Sequence, residues 1–135
     1  MPDTARALAR AFWPGALTIV VRASEAVPVY MRAADGTVAL RASSSPVVQA
    51  LIRACGTPLA VTSANTHGAP APASFAQVEP CVLRGVDAAV DAGETACREA
   101  STIVSFSSGE MEIVRQGALG AARIQDALNL AVTSS

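Results

Sequence analysis

Residues 16–41, ALTIVVRASEAVPVYMRAADGTVALR, decide the fold class. Ala16 to Arg22 is a continuous run rich in β-branched residues, which predicts a buried strand. Ala33-Ala34-Asp35-Gly36 reads as a turn, because Asp-Gly tolerates the positive φ that a tight reversal needs. Thr37 to Arg41 then returns as a strand, and Val27 to Arg32 is expected as a weaker strand between the two.

Upstream, Asp3-Thr4 followed by Ala5, Leu8, Ala9 and Phe12 predicts a short helix with a capping residue. Trp13-Pro14-Gly15 closes it, since the residue before Pro avoids helical geometry. Downstream, Ser44 or Ser45 is expected to cap a helix with Pro46 in its first turn and Gly56 as its stop. Val47, Val48, Leu51 and Ile52 form its buried side. Pro58 to Ser63 (PLAVTS) reads as a third buried strand, with Ala64 to Ala73 as a loop hung from its end. Ser74 caps an expected helix to about Val78, and Pro80 interrupts its continuation to Leu83.

Val86 to Asp91 reads as a short strand and Ala92 to Ala100 as a loop. Ser101 to Phe106 and Met111 to Arg115 form a hairpin around Ser107-Ser108-Gly109. After a turn at Gln116 to Gly120, Ala121 to Ala131 reads as a helix with Ile124, Ala127, Leu128 and Ala131 inward. Neither a repeat nor a long linker divides the chain. One α/β domain over residues 1–135, with a mixed, largely central sheet, is expected.

The composition narrows the chemistry. A chain of 135 residues, 51% apolar and 16% charged, is globular and buries roughly two-thirds of its unfolded surface. All ten basic residues are arginines. Without lysine there is no Walker-type phosphate loop and no Schiff base. The lone histidine, His67, excludes sites built on two or more histidines. Cys55, Cys81 and Cys97 are widely spaced with no Cys-x-x-Cys, which argues against a disulfide framework or zinc knuckle and predicts buried or half-buried thiols. A net charge of −1 gives no general attraction to nucleic acid, so a polyanion contact needs a local arginine cluster. The longest apolar run, Ala16 to Val21, is far below the ~20 residues that span a bilayer, and the N-terminus has no basic-then-apolar signal pattern. A cytoplasmic protein with no membrane contact is expected.

Thr62-Ser63-Ala64-Asn65, at the end of the third expected strand, is the strongest constellation. Ligands of open α/β sheets sit beyond the carboxyl ends of strands, where Ser63 and Asn65 can hydrogen-bond phosphate or carboxylate oxygens. The same two residues also suit a loop cap or turn. Arg41 ends T-V-A-L-R, sharing one strand face with the small residues Thr37 and Ala39, which leaves room for a ligand. Arginine grips a carboxylate with two parallel bonds, so Arg41 is a candidate anion anchor, and Arg115 repeats the design at the end of M-E-I-V-R. Both also suit strand-end arginines that reach for water. Ser101-Thr102 opens a strand and can donate to the same site. His67 has no carboxylate partner by motif, and without a Gly-x-Ser-x-Gly elbow or Cys-His pair covalent catalysis is disfavoured. Hydroxyls, an amide and arginines suit reactions that hold reactants in line and neutralise developing charge, such as phosphoryl or nucleotidyl transfer.

Five blocks in order, FWPGALTIVV (12–21), TVALR (37–41), PLAVTSANTHGAPAP (58–72), ASTIV (100–104) and VRQGAL (114–119), resemble the YrdC-like family of threonylcarbamoyl-AMP synthases. The resemblance implies a twisted α/β fold with flanking helices and a concave, positively charged cleft. It implies that L-threonine, bicarbonate and ATP give L-threonylcarbamoyl-AMP, water and pyrophosphate, for threonylcarbamoyladenosine modification of tRNA. Arg41 matches the residue that binds the threonine carboxylate, with Val61 and Ser101 as further threonine contacts. Thr37, Ser63, Ala71 and Arg115 match ATP contacts, and Asn65 completes a Ser-x-Asn signature. Arg41, Ser63 and Asn65 are thereby the expected catalytic set. Mg²⁺ is expected with ATP, without an evident protein ligand.

The departures from the family pattern are Ala100 in place of a Glu, His67 of a Ser, Ser105 of an Asp and Gln116 of a Pro. The family also has a segment of roughly 70 to 80 residues ahead of the FWPG block, estimated from usual domain length, with a Lys-x-Arg phosphate clamp. Its absence from this sequence predicts binding in preference to stand-alone turnover. Two other readings stand beside the synthase: a non-catalytic remnant that binds nucleotide or RNA, or pairs as a homodimer through an exposed sheet edge, and a carbamoyl-adenylate-handling domain of the kind found in maturation proteins.

Overall fold

The structure is a computed structural model that describes residues 1–95 and 100–133, with side chains as far as Leu130. Cys97 and the side chain of Ala131 lie outside the described residues. Two compact units emerge, one of residues 1–51 with 99–135, the other of residues 52–98.

The first unit holds a four-stranded mixed sheet. Its strands are β1 (Leu17–Arg22), β2 (Thr37–Leu40), β3 (Thr102–Ser105) and β4 (Glu112–Arg115), in the order β2-β1-β3-β4. β1 is antiparallel to β2 and parallel to β3, and β3 is antiparallel to β4. The β1 register sets Ile19 against Leu40 on one side and Val104 on the other. Leu17, Ile19 and Val21 are buried while Thr18 and Val20 are half-buried, so period-2 alternation gives β1 one fully covered face.

Helices α1 (Asp3–Phe12) and α4 (Ala121–Thr133) cover that face. Ala5 and Leu8 of α1 join Leu17, Ile19, Val21, Val104, Phe106, Leu119 and Ile124 in a single core. Each large side chain buried there is worth about 1.5–3 kcal/mol. Ala9, Phe12, Ala127 and Leu128 pack at its margin. Arg123 stacks its guanidinium 5.7 Å from the Phe12 ring centroid, tying the two helices at the surface. Trp13 donates its indole N–H to the Leu17 carbonyl at 2.7 Å, which satisfies the polar tip of a half-buried ring.

Several expectations are corrected. Pro2, with no side-chain capping bond, occupies the N-cap of α1, and Asp3 is already helical. Val27 to Arg32 is not a strand. Pro28 cannot donate to a ladder, Val29–Met31 form one 3-10 turn, and Arg32 folds back to donate to the carbonyls of Glu25 and Val27.

Helix α2 (Pro46–Cys55) carries the chain from the first unit into the second. The Ser45 hydroxyl accepts from the Val48 amide at 3.5 Å, and Gly56 ends the helix with φ +65°. Its expected inner side is only half-buried at Val47, Val48 and Ile52, and Leu51 is exposed.

In the second unit, Pro58 to Ser63 and Val86 to Asp91 are irregular backbone rather than strands. An apolar run becomes a strand only with a neighbour to complete its ladder, and Val61, Val86 and Val90 are exposed here. The helix expected from Ser74 is a single 3-10 turn at Phe75–Gln77. Pro80 starts α3 (Pro80–Arg84) instead of interrupting one, since the first helical position needs no N–H partner. Cys55 and Cys81 are exposed, not buried. No described helix is long and apolar enough to cross a membrane.

Candidate functional site

The face of the sheet turned away from α1 and α4 mixes aliphatic residues with small and polar ones. The pairs Val20–Ala39, Thr18–Ile103 and Ile103–Arg115 share it, because residues opposite each other in adjacent strands point the same way. Ser101, one residue ahead of β3 and alternate to Thr102, falls on the same face. Ser101 is 6% exposed and accepts a bond from the Arg115 Nη2 at 3.3 Å. Arg115 also chelates the Ser101 carbonyl through Nε at 3.2 Å and Nη2 at 2.9 Å. A guanidinium has five N–H groups. Three are committed to Ser101, which leaves the Nη1 edge to an incoming anion. The Ser101 hydroxyl is further bonded to the Thr18 hydroxyl at 2.7 Å.

The backbone beneath this cluster is fixed from the other face. Thr102 is fully buried, and its hydroxyl donates to the Leu119 carbonyl at 2.7 Å. It accepts from the amides of Gly117 at 3.0 Å and Leu119 at 3.1 Å. The turn after Arg115 is thereby pinned to the start of β3. Gly117 is required there, because a Cβ would fall 2.2 Å from the Ala100 carbonyl oxygen.

Arg41 follows β2 and donates its Nε–H to the Gly15 carbonyl at 2.8 Å. Both Nη groups remain for a ligand, the end-on geometry a carboxylate accepts. Ala42 and Gly15 are joined by a backbone bond of 2.9 Å, so the arginine projects from a tethered segment. Thr37, at the other end of β2, is 4% exposed. Its hydroxyl and amide both donate to Asp35 Oδ1, at 2.7 and 3.0 Å. The Thr37 hydroxyl, then the Thr37 amide, holds the Asp35 carboxyl below its ordinary value, with a smaller push from Arg22.

The second unit carries Val61, Ser63, Asn65 and Ala71, all on irregular backbone. Val61 is 83% exposed, and Ser63 and Ala71 are exposed too. Asn65 organises its own loop: Nδ2 donates to the carbonyls of Thr66 and Ala69, each at 2.9 Å. Two acceptors around Nδ2 fix the amide's orientation, and with both hydrogens spent its remaining capacity is the Oδ1 acceptor, which is buried without a partner. Glu79 closes the loop, accepting from the Thr66 hydroxyl at 2.8 Å. That bond, with weaker ones from the Thr66 amide and the Cys81 thiol, holds the Glu79 carboxyl below its ordinary value. His67 is exposed.

The structure thus gathers Arg41, Ser101 and Arg115 on one unit and Val61, Ser63, Asn65 and Ala71 on the other. Sequence reading missed Thr18, whose role depends on a partner 83 residues away, and Glu79, whose only local signal is its place before the Pro that opens α3. Among the described residues no three His, Cys, Asp or Glu side chains gather as a metal site. A cavity of about 310 Å³ between α4 and the β3–β4 loop, lined by Phe106, Met111 and Leu128, includes none of the residues singled out above.

The Sua5/YciO/YrdC family model, described as telomere recombination, matches residues 1–117. A putative threonylcarbamoyl-AMP synthase of Mycobacterium tuberculosis is 38% identical over 134 residues, 99% of this chain and 61% of that protein. The threonylcarbamoyl-AMP synthase of Pyrococcus abyssi is 34% identical over 88% of this chain and 35% of its own length. The chain therefore spans about three-fifths or less of these relatives. Among solved structures, P. abyssi Sua5 complexed with L-threonine superposes with a TM-score of 0.85 at 31% identity, covering 94% of this chain and 37% of that one. Escherichia coli YciO, at a TM-score of 0.69 and 23% identity over 89% of this chain and 59% of its own, shares the fold.

Proposed function

The chain belongs to the Sua5/YciO/YrdC family, and on that premise we propose that it supplies the threonine and ATP anchors of a threonylcarbamoyl-AMP synthase. The observation that carries this reading is the bond between Arg115 and Ser101, in the same unit as Arg41. The family pattern gives Arg115 to ATP and Ser101 and Arg41 to threonine, so the groups for two substrates meet on one surface. The P. abyssi relative solved with L-threonine supports threonine as the amino acid.

In this reading the Arg41 guanidinium holds the threonine carboxylate end-on, which leaves the amine to take up bicarbonate as a carbamate with loss of water. A carbamate oxygen attacks the α-phosphorus of ATP and pyrophosphate leaves, giving threonylcarbamoyl-AMP. Arg115 turns its Nη1 edge to the phosphates and offsets charge that builds on them. Mg²⁺ enters as a companion of the ATP phosphates. Thr37, whose hydroxyl and amide hydrogens are spent on Asp35, acts on the nucleotide as an acceptor.

Calorimetry of the full chain with L-threonine and Mg-ATP, singly and together, tests the reading. Saturable heat from either ligand is expected, with an upward thermal shift. No heat and no shift with either overturns it. Pyrophosphate release with bicarbonate, threonine and ATP together then separates turnover from binding.

A further inference from the structure

Resting on that reading and deepening it, we propose that Thr18 is a further threonine-binding residue, which with Ser101 forms a hydroxyl pair that donates one hydrogen to the carboxylate gripped by Arg41. Nothing in the sequence pattern singles Thr18 out. Within β1 it sits on the face opposite the core, between the buried residues Leu17 and Ile19.

The hydrogen count carries the assignment. Ser101 Oγ accepts from Arg115 Nη2, a group that only donates. Ser101 and Thr18 bring two hydroxyl hydrogens between them, and their mutual bond at 2.7 Å consumes one, whichever residue donates it. One hydroxyl hydrogen is therefore left over on this face. If Ser101 donates within the pair, the spare hydrogen is on Thr18. If Thr18 donates, Ser101 holds it, oriented by the neighbouring guanidinium. Either way the pair offers a net donor to an acceptor, and a carboxylate is the strongest acceptor the reading brings there. Thr18 is half-buried, whereas Ser101 is 6% exposed, so Thr18 is the more accessible of the two.

Register supplies the second observation. The β1–β2 ladder ends at Ile19 against Leu40, so Thr18 and Arg41 are the two residues that follow its last paired rung. The bond from the Gly15 amide to the Ala42 carbonyl keeps the two segments together beyond the last paired residues. In this assignment a carboxylate held end-on by Arg41 also reaches the Thr18 hydroxyl. Contact with that hydroxyl makes the pocket selective for a free carboxylate.

The test is calorimetry on the full chain, using L-threonine, L-threoninamide and Mg-ATP as probes, with Thr18→Val and Thr18→Ser. Removing one hydrogen bond to a charged group is expected to weaken L-threonine by about tenfold in Thr18→Val. ATP affinity is unchanged, and Thr18→Ser stays close to wild type. The preference for L-threonine over L-threoninamide falls in the valine variant, a readout that general loosening of the fold does not move. Undiminished threonine affinity in Thr18→Val, or equal loss of threonine and threoninamide, overturns the role of Thr18 while leaving the synthase reading in place. Should the valine variant not fold, Thr18→Ala is read in the same way. A wild-type chain that binds no threonine overturns the synthase reading and this assignment together.

Discussion

Thr102 and Leu119 are joined twice, the hydroxyl donating to the carbonyl at 2.7 Å and accepting from the amide at 3.1 Å. With the Gly117 amide as a third partner, a single buried oxygen holds the turn after Arg115 against the start of β3. Thr102→Val keeps the shape and leaves those backbone groups without their partner, so a loss of about 2–4 kcal/mol is expected. Urea denaturation of the two proteins measures it, and Thr102→Ser is expected to recover most of the difference.

Two glycine-to-alanine changes separate close approach from backbone strain. At Gly117 the added carbon meets the Ala100 carbonyl and the Ser101 backbone, and forcing them apart costs about 1–3 kcal/mol or more. Because Ser101 anchors Arg115, Mg-ATP affinity should fall as well. At Gly109, where φ is +99° and nothing lies within 4 Å, the cost is about 1–2 kcal/mol of strain with no change in ATP binding. Equal ATP affinity in the two variants would remove the link between the turn and the site.

The two arginines should divide the ligands between them. Arg41→Ala is expected to weaken L-threonine roughly a hundredfold, by loss of two charge-assisted bonds, and to leave Mg-ATP binding intact. Arg115→Ala does the reverse. Calorimetric titration of both ligands against both variants checks the pattern, and loss of the same ligand in both contradicts the assignment.

Asp35 gives a pH dependence with a definite sign. Its folded carboxyl is held below the value of 3.8 by the Thr37 hydroxyl and amide. A depressed carboxyl contributes stability that is fully present above its unfolded value and is lost as pH falls through the folded one. Stability should therefore be insensitive to this group from pH 5 to 8, a window roughly one unit and more above that value. A carbon-detected NMR titration should place the Asp35 midpoint below 3.8. In Thr37→Val, which removes the first of the two bonds, the midpoint should move back up.

The parts of the fold written in local pattern were legible. α1, β1, the Asp35-Gly36 turn with its returning strand, the hairpin around Gly109 and α4 each announce themselves by periodicity or turn chemistry within a few residues. Pro58 to Ser63 and Val86 to Asp91 misled because apolar, β-branched composition states a preference for a ladder without supplying a partner strand. Val27 to Arg32 misled because Pro28 and the fold-back of Arg32 outweigh the run of apolar side chains. At the site, Arg41, Ser101 and Arg115 were readable as residue types at strand ends. Their connection was not, because the Arg115–Ser101 bonds need the hairpin closed. Nor was the Thr18–Ser101 bond, which needs strands from opposite ends of the chain in one register.

The parallel pairing of β1 with β3 also sets an order of assembly. β1 with β2, and β3 with β4, are antiparallel neighbours in sequence that close over residues 23–36 and 106–111, whereas β1 meets β3 only across residues 23–101. That long closure is the slow event expected of non-local strand pairing, and it brings the buried residues Ile19 and Val104 opposite each other. Loop-closure entropy grows only logarithmically, so doubling the intervening segment would cost about 0.6 kcal/mol. Trimming Ile19 to valine costs about 0.5–1.5 kcal/mol. Lengthening the looped segment and trimming one buried aliphatic residue of the ladder that closes it therefore act on this fold on a similar scale.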